Sequence, residues 1–204
     1  MRTLEGLLVD WWASMVWASM TLWLTTACST APWTRQETVS VQSQHLFAQA
    51  LAAQDAHDEE HATNLLRQLI TLNPNLASAH TNFGVLLAHA GRLDEAVVEY
   101  ERAIALAPSD AVAYYNLGLA HRRRGAFAEA ERAYRRALER NPSQADAHYN
   151  LGILYELYLN RPNDALFQYR AACDLGIPDV ETVSGWIRGL ERRAAATREG
   201  GGPR

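Results

Sequence analysis

Residues 77–144 decide the fold, because a 34-residue pattern occurs there twice in succession: ASAHTNFGVLLAHAGRLDEAVVEYERAIALAPSD over 77–110 and AVAYYNLGLAHRRRGAFAEAERAYRRALERNPSQ over 111–144. A fixed period of this length predicts a row of helix pairs, since one pair cannot bury its own apolar face and stacking on neighbours supplies the core. The residues that coincide between the two copies are Gly84 with Gly118, Gly91 with Gly125, Ala96 with Ala130, Tyr100 with Tyr134, Ala103 with Ala137 and Pro108 with Pro142.

The pattern continues weakly on both sides. In residues 43–76, Ala50 takes the place of the first glycine, and in residues 145–178 the glycine returns as Gly152. The second-helix residues of this last copy arrive one position late, so we assign an extra residue to the turn between Leu157 and Pro162. We therefore predict four repeats (43–76, 77–110, 111–144, 145–178), a capping helix over 179–196 and a disordered tail over 197–204.

The small residue on the first helix, the alanines and tyrosine on the second and the closing proline resemble the tetratricopeptide-repeat family over residues 43–196. The resemblance implies an all-α fold, a right-handed superhelical solenoid of about four helix pairs. Its physical basis is close packing, because a glycine lets the second helix approach the first. Gly91 and Gly125 fall at the turn inside each pair, where a left-handed helix end is expected.

In this family one face of each first helix lines a concave groove that holds an extended peptide or helix. The matching residues here are Asn82, Asn116 and Asn150, then Thr81, Tyr115 and Tyr149 one position earlier, and His89, Arg122 and Arg123 near the helix ends. An asparagine amide has both donors and an acceptor, and can therefore pair with any peptide backbone. A local role, bonding between repeats, is the alternative, and both interpretations stay open.

Charge is unevenly distributed along the repeats. The net charge of −4 argues against nucleic acid as a partner. Repeats 43–76 and 77–110 each sum to −3, whereas seven arginines and three glutamates give repeat 111–144 a charge of +4. Arg122 and Arg123 are placed to meet an acidic segment in the groove.

The N-terminus predicts export. No charged residue occurs from Trp11 to Ala27, and Cys28 follows at once, which resembles the cleavage site of bacterial lipoproteins. We expect residues 1–27 to be a lipoprotein signal peptide or a signal anchor, and residues 28–42 to be a flexible tether. A lipidated Cys28 on the periplasmic side of the outer membrane, an uncleaved inner-membrane anchor and a cleaved periplasmic form all remain open.

Catalysis and cofactors are not expected. His57 and His61 are four residues apart, as in some zinc sites, but His57 is aligned with Gly91 and Gly125, so a helix break separates the two histidines. The favoured function is a non-catalytic adaptor for an unidentified protein partner. The last repeat resembles small proteobacterial tetratricopeptide lipoproteins, which include assembly factors of type IV pili. An adaptor for cell-wall enzymes and, less favoured, a metal-binding accessory protein using His57 and His61 are the alternatives.

Overall fold

The computed structural model describes the backbone of residues 32–200 and the side chains of residues 40–196. Every regular element in this part of the chain is helical, which confirms the all-α prediction. The helices are α1 (Pro32–Asp55), α2 (Glu59–Leu72), α3 (Ala77–His89), α4 (Leu93–Leu106), α5 (Ala111–Arg123), α6 (Phe127–Arg140), α7 (Ala145–Ile153), α8 (Pro162–Asp174) and α9 (Val180–Gly200). Between α7 and α8, residues Leu154–Tyr158 form a π-helical turn.

The chain divides into two compact units, Met1–Leu46 and Phe47–Arg204, and the boundary falls inside α1. In the first unit the structure describes residues 32–46, which are helical. In the second unit each helix from α2 to α8 packs against the next helix along the chain. The first helices α3 and α5 also touch each other, so that successive pairs stack side by side.

The glycines of the first helices are required by close packing. A Cβ atom on Gly84, Gly118 or Gly152 would lie 2.7, 2.6 and 2.6 Å, respectively, from a ring carbon of Tyr100, Tyr134 or Tyr169. These tyrosines are buried on the second helices. In the first repeat, Ala50 stands in place of the glycine and the smaller Leu66 in place of the tyrosine, and both are fully buried. In this repeat a larger residue on the first helix thus accompanies a smaller residue on the second.

The turn inside each pair is closed by one recurring hydrogen bond. The amide of the residue before the second helix donates to a carbonyl in the last turn of the first helix: Asp58 to Ala53, Arg92 to Leu87 and Ala126 to His121, at 2.8–2.9 Å. Gly91 and Gly125 have φ of 77°, as predicted for left-handed helix ends, and His57 fills the same place at φ 58°.

The fourth turn contains the extra residue. Arg161 N donates to Tyr155 O at 2.8 Å, the same closure with one more residue inside it. The insertion is taken up by the π-helical turn, in which Leu159 N donates to Leu154 O at 3.1 Å, and by Asn160 at φ 51°. The adjustment therefore begins at Leu154, earlier than the Leu157–Pro162 segment to which we assigned it.

Histidines on the first helices connect neighbouring repeats. His80 Nε2 lies 2.9 Å from the Pro74 carbonyl oxygen, and Nδ1 lies 2.7 Å from Glu99 Oε2 on α4. His148 repeats this arrangement, with Pro142 O at 3.0 Å and Gln168 Oε1 at 2.6 Å. Each imidazole thereby ties the loop that ends the preceding repeat to the second helix of its own repeat.

The outer limits of the solenoid differ from the sequence prediction. Residues 32–42, which we expected to be a flexible tether, belong to α1, whose first residue Pro32 has the backbone angle that favours helix initiation. The predicted cap over 179–196 is the helix Val180–Gly200, so residues 197–200 are helical although we expected disorder from 197. The leader, Cys28 and residues 201–204 lie outside the described part of the chain.

Candidate interaction groove

The three asparagines of the first helices have different environments. Asn82 Nδ2 donates to the Ser78 carbonyl at 2.8 Å, within its own helix. Asn150 is buried, and its Nδ2 donates to Asp146 O at 2.9 Å and to the Tyr115 hydroxyl at 3.1 Å. Asn116 lies between them and has no side-chain hydrogen bond to any residue that the structure describes. The central amide is therefore the one open to a ligand.

The residues that directly precede the asparagines take part in packing between the helices. Thr81 is buried and its hydroxyl donates to Ala77 O at 3.3 Å. The Tyr115 ring lies 6.1 Å from that of Tyr134, and burial, followed by the nearby Asp146 carboxylate, raises the Tyr115 pKa to about 12. Tyr115 is accordingly a neutral hydrogen-bonding group at any physiological pH.

Tyr149 meets the capping helix. Its ring is stacked on that of Trp186 at 6.0 Å with an interplanar angle of 18°. Glu156 completes this junction, since it accepts hydrogen bonds from the Tyr169 hydroxyl at 3.0 Å and from Arg193 at 2.7 Å. The cap is thus attached to the groove side of the fourth repeat, a role for Tyr149 and Glu156 that the repeat register did not indicate.

Arg122 and Arg123 point to different repeats. Arg123 Nη1 donates to Ala88 O at 2.7 Å, on the last turn of α3, where a cation opposes the negative end of the helix dipole. Arg122 Nη2 donates to Asn150 Oδ1 at 3.3 Å. His89 is 61% exposed and lies 3.7 Å from Glu59, so it contributes a solvated edge to the groove.

Arg122 is a half-buried cation without a carboxylate partner among the described residues. Among the described residues, its Nε and the hydroxyl of Tyr134 are buried and form no hydrogen bond of good geometry, although the hydroxyl lies close to the guanidinium. Burial lowers the Arg122 pKa, but the Tyr134 and Tyr158 hydroxyl groups raise it more, so the guanidinium stays charged. Burial of an uncompensated charge is costly, and an anion from outside would relieve that cost.

His57 and His61, the candidate metal ligands, take part in the turn and in the start of α2. His61 donates its backbone amide to Asp58, which caps α2, while His57 occupies the turn. No group of three metal-ligating side chains occurs in the described residues. Two cavities of about 500 and 360 Å³ lie between second helices and the next repeat, and arginine–carboxylate pairs line both. None of the helices in residues 32–200 is long and apolar enough to span a membrane.

Comparison with known proteins agrees with this geometry. Models of the tetratricopeptide repeat match residues 111–144 and 133–169, and a further repeat model of the same family matches residues 86–125. The class defined by the fold is thus the helical-repeat proteins, and residues 86–169 of the chain are built from tetratricopeptide repeats. No protein with a curated description matches the sequence.

Several solved structures are similar in fold to this chain. A MamA protein is 21% identical with a TM-score of 0.64, and the match covers 78% of this chain and 88% of that one. MamA from Desulfovibrio magneticus RS-1 is 24% identical, covering 70% and 79% with a TM-score of 0.60. A mutant of Thermobaculum terrenum O-GlcNAc transferase is 23% identical with a TM-score of 0.63, covering 67% of this chain but 26% of the transferase. Together with the repeat matches, this fold makes the chain a protein–protein interaction scaffold.

Proposed function

We propose that the groove side of α5 and α7 binds an extended, acidic segment of a partner protein. The observation that carries this proposal is the concentration of unsatisfied polar groups in the third repeat. Among the described residues, the Asn116 amide has no hydrogen-bond partner, and the half-buried Arg122 guanidinium has no carboxylate partner. An amide pairs with the partner backbone whatever its sequence, whereas the guanidinium requires a carboxylate.

Binding by this groove explains why the asparagines are not equivalent. The amides of Asn82 and Asn150 satisfy their own helices, and Asn150 also orients Tyr115 and Arg122. Asn150 is therefore a supporting residue, and Asn116 with Arg122 forms the contact surface. The proposed site needs no metal or cofactor, and we propose that the chain is not an enzyme.

The direct experiment is in-cell photo-crosslinking from position 123 of the full-length chain, which is exposed and lies next to Arg122, with capture measured for the parent chain and for three variants. Arg122→Gln should reduce capture by about ten- to a hundredfold, because the loss of a charge-assisted hydrogen bond costs roughly 1.5–3 kcal/mol. Arg136→Gln is the matched control, since Arg136 is an exposed arginine of the same repeat that pairs with Glu139 on the second helix. Equal capture by the two glutamine variants would reject the groove.

The asparagines provide a second comparison. Asn116→Ala should weaken capture and leave the urea midpoint unchanged. Asn150→Ala should lower the urea midpoint and reduce the free energy of unfolding by roughly 1–2 kcal/mol, because the Tyr115 hydroxyl loses the amide that donates to it. If Asn116→Ala binds as well as the parent chain, the open amide has no role in recognition.

For the wider context we propose an envelope lipoprotein, held at Cys28 and facing the periplasm, that acts as an assembly factor of type IV pilus or other envelope machinery. The support is the uncharged stretch ending at Cys28 and the resemblance of the last repeat to such proteins. Cys28→Ala should release the protein from the membrane fraction. Continued membrane association with an attached leader would instead indicate a helical anchor.

A further inference from the structure

The π-helical turn of the fourth repeat exposes two large apolar side chains at a place where the other three repeats have polar residues or alanine. Leu157 is 67% exposed and Tyr158 is 44% exposed. The corresponding residues of the two preceding repeats are His89 and Ala90, then Arg123 and Arg124. The inserted residue therefore coincides with a change from polar to apolar surface at the end of a first helix.

Tyr158, one of the two exposed residues, is held in place by an aromatic contact. The Tyr158 ring packs on Phe127, the first residue of α6, with centroids 4.5 Å apart and an interplanar angle of 31°. Phe127 directly follows the turn of the third repeat, so this contact joins the third and fourth repeats. We call Phe127, Leu157 and Tyr158 the insert surface.

The insert surface adjoins the uncompensated charge of the groove. Arg122 donates to Asn150, which lies two helical turns before Tyr158, and Phe127, on which Tyr158 packs, follows Arg122 by five residues. Three carboxylates at the fourth-repeat turn are engaged with arginines: Glu131 and Asp164 with Arg161, and Glu156 with Arg193. Apolar surface beside a guanidinium that has no carboxylate partner among the described residues is complementary to a ligand with the opposite pattern, a carboxylate next to a large apolar group.

We propose that the insert surface binds a large aliphatic or aromatic side chain of the same partner segment whose carboxylate pairs with Arg122. This inference rests on the proposed function and adds a second recognition position. Neighbouring first helices are about 8–10 Å apart, and an extended chain covers that distance in about three residues. The recognised segment thus carries an acidic residue and a large apolar residue two to four positions apart.

The test uses the full-length chain, purified in detergent, and random peptides of about 12 residues displayed on phage, a length that spans more than two first helices. We expect selection to enrich an acidic and an apolar residue at a constant spacing. Selection on Leu157→Ser should retain the acidic preference and lose the apolar one, and selection on Arg122→Gln should do the reverse. Acidic enrichment alone would overturn the inference and leave the proposed function intact, whereas no enrichment would overturn both.

Affinity for one enriched peptide gives the quantitative control. Leu157→Ser should weaken binding by about tenfold, the effect of removing one leucine side chain from a mostly buried contact. Phe167→Ser is the matched variant, because Phe167 is also 67% exposed but lies on the second helix α8. Its affinity should stay within about twofold of the parent. Equal losses in the two variants, or none in Leu157→Ser, would show that the insert surface does not recognise the partner.

Discussion

Gly118 provides the sharpest test of the packing between paired helices. Replacing Gly118 with alanine would place a Cβ 2.6 Å from two ring carbons of Tyr134, which is 0.8 Å inside the 3.4 Å at which ordinary contact begins. The ring cannot move outward, because Tyr134 is fully buried. Overpacking of this kind costs about 1–3 kcal/mol, and alanine returns up to about 1 kcal/mol through its higher helix propensity. We expect Gly118→Ala to destabilise the chain by about 1–2 kcal/mol.

The control is Gly189→Ala, in the interior of the capping helix, where a Cβ would meet nothing within 4 Å. The same substitution should there raise stability by about 0.5–1 kcal/mol. Urea unfolding of both variants, monitored by circular dichroism, measures the difference in unfolding free energy. The dependence of this free energy on urea concentration should be the same in both variants. A Gly118→Ala variant as stable as the parent would refute the close-contact argument.

A double variant localises the clash. The first repeat combines alanine and leucine at the positions of Gly118 and Tyr134, and both residues are fully buried there. Tyr134→Leu should therefore be less harmful in the Gly118→Ala background than alone, with a coupling of about 1 kcal/mol or more in the double-mutant cycle. Strict additivity of the two changes would mean that the alanine methyl group does not meet this ring.

Three further predictions concern the turns and the buried histidines. Glu99→Ala should cost about 1–3 kcal/mol by leaving His80 Nδ1 unsatisfied, while Glu99→Gln, which copies the fourth repeat, should cost less, as thermal unfolding would show. Burial, then the Arg124 charge, lowers the His121 pKa, so the unfolded chain binds more protons below about pH 6.5 and stability falls there. Urea midpoints at about pH 7.5 and 5 should differ less in His121→Leu. His57→Gly and Asn160→Gly should each raise stability by about 1 kcal/mol, because both residues have positive φ, and a lowered midpoint would contradict this reasoning.

The sequence predicted the repeat register well, because that register depends on local geometry. Gly91 and Gly125 occupy the left-handed turns, and the aligned His57 takes the same conformation although no glycine is present. Gly84 and Gly118 likewise lie against the predicted tyrosines. Each of these positions has one steric requirement that a single residue type reveals.

The groove was less predictable, because its side chains depend on contacts across repeats. The asparagine ladder looks uniform in sequence, yet Asn150 is occupied by Tyr115 and Arg122, residues 35 and 28 positions away. The adjacent Arg122 and Arg123 diverge for the same reason, since one reaches forward to the fourth repeat and the other back to Ala88 of the second. No periodic pattern encodes such pairings.

The extra residue of the fourth repeat shows how a small irregularity acquires a role. An insertion in the loop alone would leave the first helix unchanged and its end polar. Taken up as a π-helical turn, it lengthens the last turn of that helix and brings Tyr158 onto Phe127, beside the charged Arg122. The turn also holds Glu156, which binds Arg193 of the capping helix, so the segment that offers the apolar surface is fixed from both sides. A rigid apolar surface loses little conformational entropy on binding, and this is the physical reason to place partner specificity at the insertion rather than along the regular ladder.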